Sequence, residues 1–431
     1  MKPIKWAFGG ALACLLGVGA FAGISYRSAL PPIPPPAADG FPAELVAKGA
    51  TLAAIGDCVV CHTADQGAAY AGGRALPTPF GTLYASNITP DAATGIGSWS
   101  LDAFKRAMRD GVGRDGSHLY PALPYDHYRR VHDGDLEAIY AFLMTRQPVS
   151  APAKPNDMIF PLGFRPLLAG WKLMFLHQPE FQPVPGRDAQ WNRGAYLVEG
   201  LGHCGGCHSP RNLAGAEEDG SSAYSGGVAE GWTAPALTAA SRAPVPWTAD
   251  SLYAYLRAGL DGRHGVAAGP MGPVVHGLSR APEADVRAIA VYIASLSAPP
   301  GGAGQPADRP PAIDRADRAA QADPAGAALF AGACAGCHEA GAPMLTQGRP
   351  PLATATALQL DEPANALRAI LNGIHPPAGA AGPAMPPFTA SLTDAQAARI
   401  AAYLRTRFSD RPAWTDLEQA AAEIREEDTR Q

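Results

Sequence analysis

The chain has 431 residues, enough for about three domains of ordinary size. Its formal charge of -5 at pH 7, from 34 Lys and Arg against 39 Asp and Glu, provides no basic surface for nucleic acid, and that partner class is excluded. Gly and Pro number 48 and 43, while charged residues make up only 17%, so loops are abundant and a compact fold would gain from an added apolar core.

The chain opens with Lys2 and Lys5, followed by an uncharged stretch from Trp6 to Tyr26. That stretch is long enough to cross a hydrocarbon core of about 30 Å as a helix, with the two lysines left in the cytoplasm. Ala20-Phe21-Ala22 resembles a signal-peptidase site, so cleavage competes with retention as an anchor; either way the remainder is exported. Cys14, within the apolar run, reads as a small apolar residue. Pro31 to Pro36 forms a stiff polyproline spacer beyond it.

The other six cysteines fall in three pairs: Cys58-Val-Val-Cys61-His62, Cys204-Gly-Gly-Cys207-His208 and Cys334-Ala-Gly-Cys337-His338. Each has the Cys-X-X-Cys-His spelling of a c-type haem attachment site. Two thiols on one helical turn can each add to a vinyl group along a porphyrin edge, and the adjoining histidine then reaches the iron. A zinc ribbon needs four ligands in one module, whereas each module here offers Cys, Cys and His. A thioredoxin-like redox pair is the other rival. The spelling therefore predicts three covalently bound haem c groups, with Cys58, Cys61, Cys204, Cys207, Cys334 and Cys337 as thioether residues and His62, His208 and His338 as proximal ligands.

A helical stretch precedes each motif, and an amphipathic helix closes each module. The closing helices carry Leu136, Ile139, Tyr140 and Leu143, then Val286, Ile289, Ala290 and Ile293, then Ala397, Ile400, Ala401 and Leu404, all at helical spacing. Thr393 and Gln396 spell a capping box at the start of the last one. No strand-period pattern of comparable length competes. The expected fold is all-α, with three tandem cytochrome c-type domains behind an N-terminal hydrophobic anchor. The boundaries read 1–36 for signal or anchor and spacer, 37–150 for the first domain and 151–187 for a connector. The second domain then covers 188–298, a Pro/Gly/Ala linker 299–322, the third domain 323–410 and a tail 411–431.

A haem iron held by histidine on one face usually takes Met or His on the other. Met271 and Met385, each in a Gly/Pro-framed loop ahead of a closing helix, are the distal candidates of the second and third haems; Met344 follows its motif too closely. The first module breaks the pattern, because Leu123 occupies the matching position and Met108 and Met144 fall on predicted helices. His127 is the first candidate there, with His118, His132 or an open iron as alternatives. A His/His or five-coordinate haem would have the lowest potential of the three. The linker is expected to permit relative motion of its neighbours. The connector is rich in Phe, Leu, Trp and Met, and packing between haem modules or contact with a membrane surface both suit it; Pro161 and Pro166 rule out a spanning helix. Asn87-Ile88-Thr89 matches a glycosylation sequon by spelling only.

Four stretches carry a family resemblance: PFGTLYASNITPDAATGIGSW (79–99), HLYPALPYDHY (118–128), WNRGAYLVEGLGHCGGCHSPRN (191–212) and AEGWTAPALT (229–238). They resemble the membrane-bound triheme cytochrome c subunits of periplasmic dehydrogenases, over residues 37 to about 420. That resemblance implies a large dehydrogenase subunit as partner, and quinone or a terminal oxidase as acceptor, on the periplasmic side of the inner membrane. The partner would be a molybdopterin hydroxylase with a small iron-sulfur subunit, oxidising aldehydes or N-heterocycles. Leu123 followed by Tyr-Asp-His, and the terminal RPAWTDLEQAAAEIR, look closest to that branch. Quinoprotein alcohol dehydrogenases and flavin-dependent gluconate or sorbitol dehydrogenases are the alternative partners.

The chain shows no substrate-oxidising site of its own, with no nucleotide-binding Gly-rich loop after a strand, so it is read as an electron-transfer subunit and not as a catalyst alone. A haem peroxidase or reductase using the Met-less first haem, and a cytochrome subunit of a terminal oxidase, are the rival functions.

Overall fold

The computed structural model describes residues 16–17, 19–297, 313–339, 341–342, 351–376 and 384–430. Most of the apolar stretch Trp6–Tyr26, with Cys14, lies outside the described residues, as do Met344 and most of the 299–322 linker. No helix among the described residues is long and apolar enough to cross a membrane. The chain divides into two compact units, one formed by residues 1–183 with 199–203 and the other by residues 184–198 with 204–431.

In the first unit the helix Ala43–Ile55 leads into the turn Cys58–Cys61, and the helices Leu101–Asp110 and Asp133–Met144 follow. The expected apolar stripe on the last of these is buried, with Leu136, Ile139 and Leu143 nearly inaccessible. Leu101–Asp110 is started by the Ser100 side chain, which accepts from Ala103 N, and ends at Gly111 in the left-handed region. In the second unit the helices Ala189–Tyr196 and Glu283–Leu296 repeat the opening and closing pair. The helices Pro324–Ala333 and Asp394–Phe408 form a third such pair. The capping box expected there is formed: Thr393 Oγ1 accepts from Gln396 N at 3.2 Å, and Gln396 Oε1 accepts from Thr393 N at 2.9 Å.

The three opening helices each carry a glycine against the closing helix. A Cβ on Gly49 would lie 1.8 Å from Ala138 O, one on Gly194 2.0 Å from Ala288 O, and one on Gly326 2.4 Å from Asp323 and 3.0 Å from the Tyr403 Cβ. In the first two pairs the backbones approach so closely that no side chain fits between them. A single Gly in a helical pattern ordinarily reads as a weak point, so nothing in the spelling marks this role.

Short strands accompany the helices, which the all-α reading did not include. The segments Ala75–Thr78 and Gly81–Tyr84 pair antiparallel, and Asp157–Met158 adds a third strand against Gly81–Thr82. Gly227–Ala229 pairs with Trp232–Ala234, and Leu260–Asp261 with Gly265–Val266. Runs of two to four residues are too short to show a period of two, which is why the pattern hid them. The architecture remains mainly helical.

Two further segments differ from the linear reading. Residues 411–430, read as a tail, form the helix Leu417–Arg430, whose Ala421 and Ile424 join the core of Leu367, Leu371, Ile400 and Phe408. Motion across the linker is opposed by direct bonds within the second unit. Asn365 donates to Thr233 O and accepts from Thr233 N, both at 2.8 Å, and the buried Arg368 donates to Gly231 O at 2.9 Å while pairing with Glu427.

Replacing Gly49 by Val should force apart Ala43–Ile55 and Asp133–Met144 and destabilise the first unit by about 1–3 kcal/mol or more. Thermal unfolding of the purified variant checks this, and Gly134→Ala, where nothing lies within 4 Å of an added Cβ, should change little.

Candidate haem-attachment sites

The three Cys-X-X-Cys-His runs adopt the same turn. The amide of His62 donates to Cys58 O at 3.1 Å, that of His208 to Cys204 O at 3.0 Å, and that of His338 to Cys334 O at 2.9 Å. In the first two the chain enters through a left-handed residue, Asp57 at φ 54 and His203 at φ 36, which sets the turn at an angle to the helix before it. One helical turn places both cysteines and the histidine along one edge, which is what two thioether bonds and an axial ligand require.

The first two histidines are oriented alike. His62 Nδ1 lies 2.7 Å from Ser86 O, and His208 Nδ1 lies 2.7 Å from Pro235 O. A carbonyl can only accept, so Nδ1 carries the proton and Nε2 presents its lone pair. Burial also holds both imidazoles below the usual histidine range, and so in the neutral form that can bind a metal. The carbonyls come from equivalent places, just after the hairpins 75–84 and 227–234. The hairpins are tied back in the same way, with Gly72 N donating to His62 O and Gly226 N to His208 O, each at 2.8 Å.

The first thiol of each pair is raised and not lowered. Burial, with Asp57 as a second contribution, pushes Cys58 up to about 12, and burial raises Cys204 to about 12 and Cys334 to about 11. A reactive Cys-X-X-Cys pair depends on a depressed value, so the thioredoxin reading loses its chemistry here.

Met271 was expected in a loop and stands instead as the first residue of the helix Met271–Leu278, half-buried. Two residues earlier Gly269, at φ 53, lies flat against the Trp232 indole, where a Cβ would come within 2.4 Å. Trp232 belongs to the hairpin that also leads to Pro235, so one hairpin supports both His208 and the approach to Met271. Met385 does lie in a loop. Its backbone exchanges two hydrogen bonds with Ile374, at 2.7 and 2.9 Å, and its side chain packs against the core that includes Phe330 and Leu404.

The histidine candidates of the first unit separate by environment. His118 is 3% exposed and committed at both nitrogens, Nε2 to Ser25 O at 2.9 Å and Nδ1 to Lys172 Nζ at 3.1 Å. His132 lies 45% exposed against Glu180, with Nδ1 2.9 Å from Oε1. His127 is 9% exposed, and its Nδ1 meets Glu199 O at 2.8 Å, the carbonyl arrangement already seen at His62 and His208. Its neighbour Tyr128 is raised well above the usual tyrosine range by burial, and in lesser part by the Cys58 and Cys61 thiols beside it. Leu123 sits half-buried in the turn just ahead of this helix.

Some supporting residues carried no readable motif. Asn87, spelled as a sequon, is buried beside Ser86; its amide donates to Val149 O at 2.7 Å and Thr94 Oγ1 at 3.0 Å, and its Oδ1 accepts from Thr89 N at 2.9 Å. In the third segment the buried Arg407 donates to Asp314 and to Glu339, the residue after His338, which raises its own pKa.

Residues 46–147 match the cytochrome c family, and residues 321–404 match cytochrome c oxidase, cbb3-type, subunit III. The chain is 37% identical over 384 residues to the cytochrome c subunit of the quinone-dependent alcohol dehydrogenase of Gluconacetobacter polyoxogenes, covering 85% of this chain and 81% of that protein. This chain belongs to the cytochrome c subunits of periplasmic dehydrogenases. It is also 36% identical to the gluconate 2-dehydrogenase cytochrome c subunit of Pantoea cypripedii, over 89% of this chain and 90% of that one. To a nicotinate dehydrogenase subunit of Pseudomonas putida it is 49% identical over 98% of its length, and it spans 36% of that longer protein. Membership in this family implies covalently bound haem c, and the three turns and the two pinned neutral histidines fit that group.

Two outcomes follow from this packing. Asn87→Ala should remove the shorter of the two bonds to Val149 O and leave the buried Thr89 amide without its acceptor, at a cost of about 1–3 kcal/mol, measured by denaturant unfolding. Lys172 is lowered by burial from 10.5 to about 7, so between about pH 7 and 10.5 the unfolded chain holds a proton that the folded chain lacks. Stability should therefore rise with pH across that window, and Lys172→Met should flatten the rise in a pH series of melting temperatures.

Proposed function

We propose that this chain is a triheme electron-transfer subunit that takes electrons from a periplasmic dehydrogenase and delivers them to quinone or the respiratory chain. The observation that carries the haem number is the threefold recurrence of one turn, with a histidine amide closing onto the first cysteine each time. Cys58 and Cys61, Cys204 and Cys207, and Cys334 and Cys337 would form the thioether bonds. Bound haem supplies one-electron redox chemistry at each site. His62, His208 and His338 would serve as proximal ligands, Met271 and Met385 as distal ligands, and His127 as the sixth ligand of the first site. Ser86 and Pro235 hold two of these histidines with Nδ1 protonated and the Nε2 lone pair presented.

The partner is a molybdopterin-dependent dehydrogenase, with a small iron-sulfur subunit, that oxidises aldehydes or N-heterocycles. The 49% identity to the nicotinate dehydrogenase subunit, against 37% and 36% for the alcohol and gluconate dehydrogenase subunits, supports this branch. Membrane attachment through the apolar N-terminal stretch is part of the same reading.

The test is affinity purification of the tagged chain from detergent-solubilised membranes of its host, with mass spectrometry and a haem stain. A molybdopterin subunit with an iron-sulfur subunit is expected. A quinoprotein or flavoprotein partner would overturn the branch, and the absence of any dehydrogenase would favour a peroxidase or reductase acting at the first haem. Met271→Leu and Met385→Leu should each lower the potential of one haem in a redox titration, since a thioether ligand raises it.

A further inference from the structure

The largest exposed apolar side chains of the first unit gather in two short stretches. One comprises Leu16, Ile24 and Tyr26, and the other Ile159, Phe160, Phe164, Leu167, Leu173 and Met174, with Phe160 97% exposed. Of the two readings open for the connector, packing between modules and contact with a membrane surface, these exposed side chains suit the second. The exposure is held in place from beneath. Ile159 N donates to Phe80 O at 3.0 Å, Tyr120 Oη to Leu162 O at 3.0 Å, and Lys172 Nζ to Gly111 O at 2.6 Å. Trp171 packs edge-on to the fully buried Tyr125 at 6.0 Å between centroids. The loop is thus built to point its apolar tips outward.

One histidine sets the two stretches side by side. The His118 ring meets Ser25 O through Nε2 and Lys172 Nζ through Nδ1. Ser25 is the penultimate residue of the uncharged run from Trp6 to Tyr26, and Lys172 lies within the second stretch. The backbone continues this attachment, with Leu30 N donating to Arg114 O at 2.7 Å and Arg106 to Ser28 O at 2.8 Å. From Met158 to Pro179 there is no Asp or Glu, and Arg165 is basic, while Lys172 turns its Nζ inward to Gly111 and His118. An apolar stretch with no acidic residue of its own, beside the end of a bilayer-length apolar segment, matches the chemistry of a lipid surface.

We propose that residues 159–174 form a second membrane contact, seated in the headgroup and acyl boundary beside the N-terminal stretch, so that the first unit is held against the bilayer at two points. The occupant is lipid. Unlike a single flexible tether, two contacts linked through His118 fix which side of the first unit faces the membrane.

The test uses the full haem-loaded chain in vesicles of phosphatidylcholine and phosphatidylglycerol. Cys14→Ser is combined with Phe160→Cys or Met174→Cys, and each introduced cysteine is spin-labelled, with the free label in buffer as the aqueous reference. At 160 and 174 the ratio of collisions with oxygen to those with a water-soluble nickel chelate should exceed that of the reference several-fold. A ratio at 160 equal to the reference would overturn the proposal, as would shielding from both reagents, which marks a protein partner over the face. Flotation of the same samples separates the failures: a chain that floats with position 160 in water keeps its tether and loses this surface.

Discussion

The histidine that follows each cysteine pair must be neutral and must aim one particular nitrogen, and much of the surrounding structure serves that requirement. At His62 and His208 the device is a single backbone carbonyl on Nδ1. Each carbonyl is placed by a hairpin, and each hairpin is bonded back to its own histidine through a glycine amide. Asn87 then fixes the stretch around Ser86, and Trp232 links the Pro235 hairpin to the approach of Met271. Small sheets that look incidental in a helical protein are thus the supports of these histidines.

The second constraint is the helix crossing. Gly49 and Gly194 let opening and closing helices meet backbone to backbone, and the motif follows within about three turns of helix in each case. Close crossing sets where the chain emerges and so where the cysteines stand. The third pair uses the looser contact of Gly326 with Tyr403 and adds the helix Leu417–Arg430 to its core. Asn365 and Arg368 then join this part to the hairpin that carries Trp232, which opposes the freedom that the Pro-rich linker suggested.

Motifs bound by local chemistry were legible in the sequence. The three Cys-X-X-Cys-His turns, the apolar stripes of the closing helices and the Thr393–Gln396 capping box all depend on residues within one or two helical turns, and each took the local form expected. What was not legible depends on length or distance. The strands were too short to show alternation, Met271 was read from Gly and Pro neighbours that in fact start a helix, and nothing in the spelling around Asn87 pointed to its buried structural role. No local pattern could reveal that His118 is spent on Ser25 and Lys172 while His127 meets a carbonyl from residue 199.

Haem on all three turns is tested by mass spectrometry of the exported chain under denaturing conditions, with peptides mapped around Cys58–His62, Cys204–His208 and Cys334–His338. Three haem masses per chain, one on each peptide, is the predicted result. A chain with two or fewer, or with any of the three cysteine pairs as free thiols or a disulfide, would rule out a triheme subunit.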